Sequence, residues 1–331
     1  MLGTNHLYSA MSVIGIAKDR SDTKSKVRLE PTLDKLYELS LRESSHSIGG
    51  LAATTWALAS AHDPRADALG RVMADRLIAS TISSMELGLV LSALAAVIDA
   101  SPAARQQSLT LADLVERELL GRFSDPAQLF LGHPRTLRAA HPFRMRITSF
   151  ASQVYPTHGL AELARVRETD PAQQILRAAD HLVEMQGELG QWWWVYSPRS
   201  GRVLESYPVY SVNQHGMAFM ALAPLQNLGV RSYSSHLERG VQWVVGQNEV
   251  NIPLVDFDQT FMSRCLQRRG SDADGLLGMS ASQRVGLRLS SWGMRRPQDG
   301  ASHPDALELL HECRSYELGW LLYARSLVVD W

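Results

Sequence analysis

Apolar positions follow the period of an α-helix along most of the chain. Strict alternation of polar and apolar residues, the pattern of a half-buried strand, is rare. Ala, Leu, Met and Arg, which favour helices, are abundant. Short turns separate several segments, and in Asp63-Pro64 and Asp170-Pro171 the Asp can cap the next helix while the Pro suits its first turn. The pattern predicts helices over residues 32–43, 49–62, 65–80, 85–100, 108–123, 157–168, 171–186, 214–228, 234–247, 259–269 and 304–328.

The predicted helices are of two alternating kinds. Helices of the first kind open with a glycine, a large apolar residue and a run of small apolar residues, which predicts burial on most sides. Helices of the second kind are amphipathic and keep one polar face. The repeated glycines, which suit close approach between helices, are Gly50, Gly88, Gly159, Gly216 and Gly319.

Helix pairs that recur at a spacing of tens of residues predict a solenoid or its closed form. We therefore expect an all-α protein with a single α/α toroid domain, in which the glycine-opened helices form the inner ring. The toroid is expected to span residues 31–331, with residues 1–30 as an N-terminal extension or first helix. Two stretches of weak periodicity, 124–152 and 270–303, are expected to be loops.

Composition removes several classes of function. The chain has 331 residues, 45% of them hydrophobic and 20% charged, which is enough for a large core. The formal net charge is −1 and basic residues are interspersed with acidic ones, so nucleic acid is not expected as a partner. Neither a signal peptide nor a membrane span is indicated, and a cytoplasmic location is expected.

Metal and nucleotide chemistry is not indicated either. The two cysteines, Cys265 and Cys313, lie in predicted helices and are expected to be buried thiols. The sequence contains no C-x-x-C pair, no H-E-x-x-H, no P-loop and no G-x-S-x-G. We therefore expect no metal site and no cofactor.

The segment Gln186-x-x-x-Gly190-x-Trp192 follows an amphipathic helix. Gln can bond exposed backbone groups at a helix end, Gly permits a positive φ, and Trp packs over the turn. This segment resembles the Q-x-x-x-G-x-W repeat of squalene-hopene cyclases and related terpenoid cyclases. Those proteins share the α/α toroid with protein prenyltransferase β subunits. A second, incomplete copy covers residues 240–248.

A further segment, Asp256-Phe257-Asp258-Gln259-Thr260, resembles the D-x-D-D-T acid motif of the same cyclases, with Gln259 in place of the fourth-position acid. The resemblance implies that Asp258 protonates an alkene or epoxide. Alternatively, Asp256 or Asp258 caps the helix predicted from residue 259. At the level of architecture, the expected toroid is also similar to six-hairpin glycosidases, sugar epimerases and some polysaccharide lyases.

In a toroid, the inner helices all begin at the same end of the ring, so polar residues near their starts are expected to converge there. Ser47 and Glu86 hold such positions, and His158 and His215 are equivalent in the two best copies of the repeat. Imidazole can perform acid/base chemistry near neutral pH, although helix capping is the alternative. The candidate catalytic residues are His158, His215, Asp256, Asp258 and Glu317.

The loop before the helix predicted from 214 is rich in aromatic, amide and carboxylate groups. Sugars stack their apolar faces on such rings and need many hydrogen-bonding partners for their hydroxyls. An arginine beside the last helix can hold a uronate or phosphate, although an intrahelical ion pair is the alternative. The candidate substrate-binding residues are Trp193, Trp194, Tyr196, Glu205, Tyr207, Tyr210, Gln214 and Arg314.

Three functions remain open at this stage. The first is a carbohydrate-active protein of bacterial polysaccharide metabolism, acting as a hydrolase, lyase or epimerase on a small-molecule or oligosaccharide substrate. The second is a terpenoid-cyclase-like or prenyl-binding toroid. The third is a non-catalytic toroid that binds a glycan or a protein. The sequence leaves the substrate and the oligomeric state undetermined.

Overall fold

The structure is a computed structural model. The residues it describes are 6–19, 27–42, 47–77, 82–134, 144–256, 258, 261–269, 306–313 and 315–328. Arg314 and the whole of the expected loop at 270–303 lie outside the described residues.

Eleven α-helices account for most of the described chain, which confirms the prediction of a helix-rich protein. They are α1 (His6–Lys18), α2 (Glu30–Arg42), α3 (Ile48–Ser60), α4 (Arg65–Leu77), α5 (Ser84–Ala100), α6 (Arg105–Gly121), α7 (Ala151–Arg167), α8 (Gln173–Glu184), α9 (Val212–Asn227), α10 (Ser234–Val244) and α11 (Ser315–Ser326).

The odd-numbered helices contact one another in chain order, and α11 returns to contact α1, so the six helices close a ring. The even-numbered helices pack outside it, as α2 does against α1 and α3. Burial follows this division, because α3 is buried at all thirteen residues whereas α4 buries only Ala66, Leu69 and Met73. The five glycine-opened segments are α3, α5, α7, α9 and α11, all in the ring. The division of the chain into residues 1–30 and a toroid from residue 31 stays a prediction. Helix α1, which lies within residues 1–30, is one of the ring helices.

Helices α5 and α7 approach closely at two glycines. A Cβ atom on Gly159 would lie 2.6 Å from the carbonyl oxygen of Gly88 and 2.7 Å from the Cβ of Leu91, which are distances that real Cβ atoms do not reach. A Cβ on Gly88 would likewise overlap the backbone of Tyr155. The absence of side chains therefore sets the distance between these two helices.

The expectation of an all-α protein needs correction, because short strands occupy the loops. They are β1 (Phe123–Ser124), β2 (Leu129–Phe130), β3 (Thr148–Ser149), β4 (Val195–Tyr196), β5 (Val203–Glu205), β6 (Val209–Tyr210), β7 (Val255–Asp256), β8 (Phe261–Met262), β9 (Cys265–Arg268) and β10 (Leu307–Leu310). Strands β3, β4 and β5 form one antiparallel sheet, and β10, β9 and β6 form another, while β1–β2 and β7–β8 are separate pairs.

The helix predicted over 259–269 is wrong. Strand β9 occupies this part of the chain and pairs with β6 on one side and β10 on the other, so that Cys265 lies between Tyr210 and Leu310. Pairing with strands that are distant in sequence overrides the local helical pattern. The helix predicted over 304–328 divides for the same reason into β10 and α11.

Aromatic side chains meet inside the ring. The ring of Trp56 on α3 lies 5.0 Å from that of His158 on α7 and 5.2 Å from that of Tyr323 on α11. Trp320 packs 5.8 Å from Trp56, and all four side chains are buried. Because α3, α7 and α11 are not neighbours in the ring, these contacts fill its interior at this level.

Candidate functional site

The long connections of the chain lie at one end of the ring. Those leading into α7, α9 and α11 begin after residues 121, 184 and 244, and they hold all the strands of the described residues. The connections at the opposite end, such as 61–64 and 101–104, are short. Binding residues are concentrated on loops that a rigid scaffold positions, so a site is expected at this end, which we call the loop end.

The Gln186 motif fixes the start of the loop that contains Trp192, Trp193 and Trp194, which we call the aromatic loop. Its amide nitrogen donates to the carbonyl oxygens of Gly190, at 3.2 Å, and His236, at 2.9 Å. Gly190 has a φ of +106°, and a Cβ there would overlap the backbone of Arg239. The motif therefore ties the end of α8 to α10 and holds the following residues in place. The resemblance to terpenoid cyclases still rests on sequence alone, on this motif and on Asp256–Thr260.

The three successive tryptophans occupy three different environments. Trp192 is fully buried, and its ring lies 6.0 Å from Phe150. Trp193 is half-buried and donates its indole N–H to the carbonyl oxygen of Met185 at 2.7 Å. Trp194 is half-buried and packs edge-on to Tyr210 at 5.8 Å. Trp193 and Trp194 are thus both partly exposed with a second aromatic ring beside them, because Trp193 lies edge-on to Tyr207 at 6.1 Å.

A carboxylate that the sequence analysis did not single out holds two loops together. Glu249 accepts hydrogen bonds from the amide of Gln191 at 2.6 Å, from the indole N–H of Trp243 at 2.8 Å and from the hydroxyl of Tyr207. Burial, reinforced by the charge of Glu249, raises the pKa of Tyr207. The hydroxyl of Tyr207, a candidate for substrate binding, is thus already hydrogen-bonded to Glu249.

Two further candidates are enclosed by protein. Gln214 is buried, accepts the backbone N–H of Tyr210 at 2.6 Å and donates to the carbonyl oxygen of Trp192. Tyr196 is fully buried, and burial raises the pKa of its hydroxyl. Gln214 holds the aromatic loop against the start of α9. The binding roles assigned to Tyr196, Tyr207 and Gln214 stay predictions.

A connected group of aromatic and charged side chains lies at the loop end, just before the first residues of α9 and α11. The guanidinium of Arg264 pairs with Glu312 at 2.7 Å and lies 5.4 Å from the centre of the Tyr210 ring. Tyr210 in turn packs against Trp194. We call Trp194, Tyr210, Arg264 and Glu312 the mouth cluster. Arg264 was missed because it lies in the segment expected to be helical, and its partner is forty-eight residues away.

Glu317 and Cys265 lie close to the mouth cluster. Glu317 is buried in the first turn of α11. Burial raises the pKa of Cys265 to about 12, and the charges of Glu317 and Glu312 raise it further, whereas Arg264 opposes them. The two carboxylates and the arginine therefore share one electrostatic environment. Glu205, half-buried, lies opposite Val195 in the neighbouring sheet.

His158 faces the interior of the ring. Its Nδ1 lies 2.7 Å from the hydroxyl of Ser92 and its Nε2 lies 2.8 Å from that of Tyr323. The side chain is completely buried, and burial lowers its pKa to about 4. Both imidazole nitrogens have hydrogen-bond partners, and the lowered pKa keeps the imidazole neutral at neutral pH. His158 therefore contributes to packing inside the ring of helices.

His215 faces outward, toward α10. Its ring stacks on Trp243 with centres 4.8 Å apart and an angle of 8° between the planes. Nδ1 lies 3.1 Å from the carbonyl oxygen of Tyr210, while Nε2 is buried with no hydrogen-bond partner among the described residues. Burial lowers the pKa of His215 to about 4. The structure thus separates the two repeat-equivalent histidines, and their expected catalytic roles stay predictions.

Asp256 and Asp258 lie in the β7–β8 hairpin. Both are exposed, and a side-chain oxygen of Asp256 accepts the backbone N–H of Asp258 at 3.0 Å, which stabilises the turn. Neither caps a helix, because the chain continues into β8. The proton-donor role that the cyclase resemblance implies for Asp258 stays a prediction.

A separate pocket of about 700 Å³ lies between α9, α10, the β7–β8 hairpin and α11. His215 and Asp256 line it, whereas no residue of the mouth cluster does. The remaining lining is mostly aliphatic and aromatic, and it comprises Phe219, Val241, Val244, Val245, Val255, Phe261, Met262, Cys313, Leu318, Leu321, Ala324, Arg325 and Val328.

The cysteines differ from the expectation of two buried thiols. Cys265 is buried in β9, but Cys313 is exposed, because it lies in the connection between β10 and α11 rather than inside a helix.

Within the described ranges, no three His, Cys, Asp or Glu side chains are grouped to hold a metal ion. None of the helices described is both long and apolar enough to cross a membrane.

Comparison with known proteins gives similarity of fold only. No family model matches the sequence, and no curated protein matches it. A polysaccharide lyase is 11% identical with a TM-score of 0.56, and the match covers 98% of this chain and 90% of the lyase. A family 88 glycosyl hydrolase from Bacteroides vulgatus is 10% identical with a TM-score of 0.53, covering 97% and 90%. A D-mannose isomerase is 12% identical with a TM-score of 0.53, covering 97% and 86%. Nearly the whole chain therefore has the fold of proteins named for carbohydrate chemistry.

Proposed function

We propose that this protein is a carbohydrate-processing enzyme of the hydrolase, lyase or epimerase type, with its substrate bound at the loop end of the ring. The observation that carries the proposal is the mouth cluster. There, a half-buried tryptophan and a partly exposed glutamate are held in place by a buried tyrosine and a buried arginine. The similarity of fold to a lyase, a hydrolase and an isomerase supports the same class of substrate.

The chemistry of the cluster suits a sugar. The half-buried Trp194 offers a stacking surface for the apolar face of a pyranose ring. Tyr210 and Arg264 are buried, and they support Trp194 and hold the carboxylate of Glu312 in place. Glu312 has a side chain that is 35% exposed, so its carboxylate can reach a bound substrate.

Acid/base chemistry is assigned to carboxylates in this proposal. Glu312 belongs to the cluster and Glu205 is half-buried in the adjacent sheet, whereas Glu317 is as deeply buried as His158 and His215. Glycoside hydrolysis needs two such groups, whereas elimination or epimerisation needs a base beside a sugar carbon. His158 and His215 are left out because protein encloses both rings.

We further propose that the substrate belongs to bacterial polysaccharide metabolism. A non-catalytic glycan-binding protein is the second candidate, and the aromatic side chains that fill the ring interior favour it. A cyclase-like reaction is supported less well, because it needs Asp258 at the end of an apolar cavity, and Asp258 is exposed on a hairpin.

The test is a screen of oligosaccharides, including uronate-containing ones, for new reducing ends, unsaturated products or changed epimers. Glu312→Gln is expected to reduce turnover by about 10²-fold or more, the scale for losing an acid/base group. Trp194→Ala is expected to raise KM, because it removes a stacking surface. Glu238→Gln, which changes an exposed carboxylate on α10, is the matched control.

The outcomes separate the two candidates. Turnover that depends on Glu312 supports the enzyme. Binding of a glycan without turnover, weakened by Trp194→Ala, supports the binding protein. Failure to bind or convert any saccharide, with a folded protein, would contradict both.

A further inference from the structure

The pocket beside α11 has a structural origin in the repeat. Elsewhere, an outer helix bridges two neighbouring ring helices, as α2 bridges α1 and α3, and α8 bridges α7 and α9. Helix α10 packs chiefly against α9 and makes few contacts with α11. Among the described residues, which exclude 270–305, no helix fills this space along α11, and a pocket lies there, closed on a further side by the β7–β8 hairpin.

The lining of this pocket keeps apolar surface in contact with solvent. Leu318 on α11 is 46% exposed, and Val245, next to the end of α10, is 44% exposed. Leaving two large apolar side chains exposed around a common cavity is unfavourable, and such surfaces usually mark a binding site. The volume of about 700 Å³ falls within the range of small-molecule sites.

The chemistry of the lining excludes a sugar and favours a hydrocarbon. Sugar hydroxyls need many hydrogen-bonding partners, but the wall consists mainly of Val, Leu, Phe and Met side chains. The charged side chains of the lining are Asp256 and Arg325, and both are exposed at the rim.

We propose that this pocket binds the hydrocarbon chain of an amphiphile, either a fatty acyl or an isoprenoid chain. From Leu318 to Arg325 the wall follows two turns of α11, a length of about 10 Å along the helix axis. The chain lies along this wall, and the polar head group lies at the rim, where Asp256 and Arg325 meet solvent. The inference does not rest on the proposed function, because the pocket and the mouth cluster share no residue.

Calorimetric titration of the full chain with dodecanoate, dodecanol and farnesol tests the proposal. Binding of all three shows that the hydrocarbon is recognised, and stronger binding of the acid assigns the head group to Arg325. Binding of farnesol alone assigns the pocket to isoprenoids. Val245→Asp and Leu318→Arg place a charge at the rim of the pocket, and each is expected to raise Kd at least tenfold. Leu114→Asp, on α6 and 52% exposed, is the matched control and should leave Kd unchanged.

A second measurement uses the wild-type protein alone. Cys313 lines the pocket and is exposed, so a bound chain should slow its alkylation. No binding up to the solubility limit, or binding that neither slows alkylation nor weakens in the rim variants, would overturn the proposal. Neither result depends on whether the protein converts a saccharide.

Discussion

Gly15 of α1 lies directly against Gly319 of α11, and this contact closes the ring of six helices. A Cβ atom on Gly15 would overlap the carbonyl oxygen of Gly319, and one on Gly319 would lie 2.6 Å from the Cα of Ser12. The first and last described helices are thus joined through backbone rather than through interlocking side chains.

Replacing Gly319 with Ala is expected to destabilise the protein, because the added methyl group must push α1 and α11 apart. Overpacking of a rigid contact costs about 1–3 kcal/mol, which exceeds the ~1 kcal/mol that Ala gains over Gly in a helix. Gly70→Ala is the control, since nothing lies within 4 Å of its Cβ position on α4, and it should raise Tm slightly. Equal Tm changes in the two variants would contradict a closed ring.

Replacing Glu249 with Ala is expected to lower stability by about 2–5 kcal/mol, because three donors, two from the connection before α9 and one from α10, lose their acceptor. Glu249→Gln should not restore it, since the amide nitrogen of Gln would face one of these donors. Glu188→Ala, an exposed carboxylate of the same region, is the matched control. Thermal unfolding followed by tryptophan fluorescence measures the change. A stability equal to that of Glu188→Ala would show that the three bonds contribute nothing.

The sequence was sufficient to predict the helices whose contacts are local. Helix α3 is buried at every residue and α5 at most of them, and their runs of small apolar residues predict this without reference to any distant partner. Strand β9 could not be predicted, because its conformation depends on pairing with β6 and β10. The ring membership of α1 depends on its contact with α11, at the other end of the chain.

The candidate site was predicted less well than the fold, and the histidines show why. His158 and His215 precede equivalent glycines. The imidazole of His158 nevertheless contacts Trp56 inside the ring of helices, whereas that of His215 stacks on Trp243 outside it. A repeat fixes the position of a residue along its helix but not the side that its ring faces. The Arg264–Glu312 pair joins residues forty-eight apart, a separation that no local motif spans.

Stability is expected to rise with pH between about 4 and 6.5, in part through His158. Burial lowers its pKa from 6.5 to about 4, so in this window the unfolded chain binds a proton that the folded protein does not. The contribution is complete above pH 6.5 and is lost as pH falls toward 4. It amounts to at most about 3 kcal/mol.

Urea unfolding at several pH values, for wild type and His158→Gln, measures this contribution. The variant lowers stability at neutral pH, because it disturbs the bonds to Ser92 and Tyr323, but it should show a shallower pH dependence between 4 and 6.5. Carboxylate titration is common to both proteins and cancels in the comparison. Parallel stability curves would mean that His158 is not held neutral by the fold.

The two cysteines are expected to differ sharply in reactivity toward a thiol reagent at neutral pH. Cys265 is buried and its pKa is raised to about 12, so almost none of it is present as the reactive thiolate. Cys313 is exposed and should react first. We expect one fast thiol per folded chain and a second only in denaturant. Cys313→Ser should remove the fast phase and Cys265→Ser should leave it intact. Two fast thiols in the native protein would mean that β9 opens readily from its place between β6 and β10.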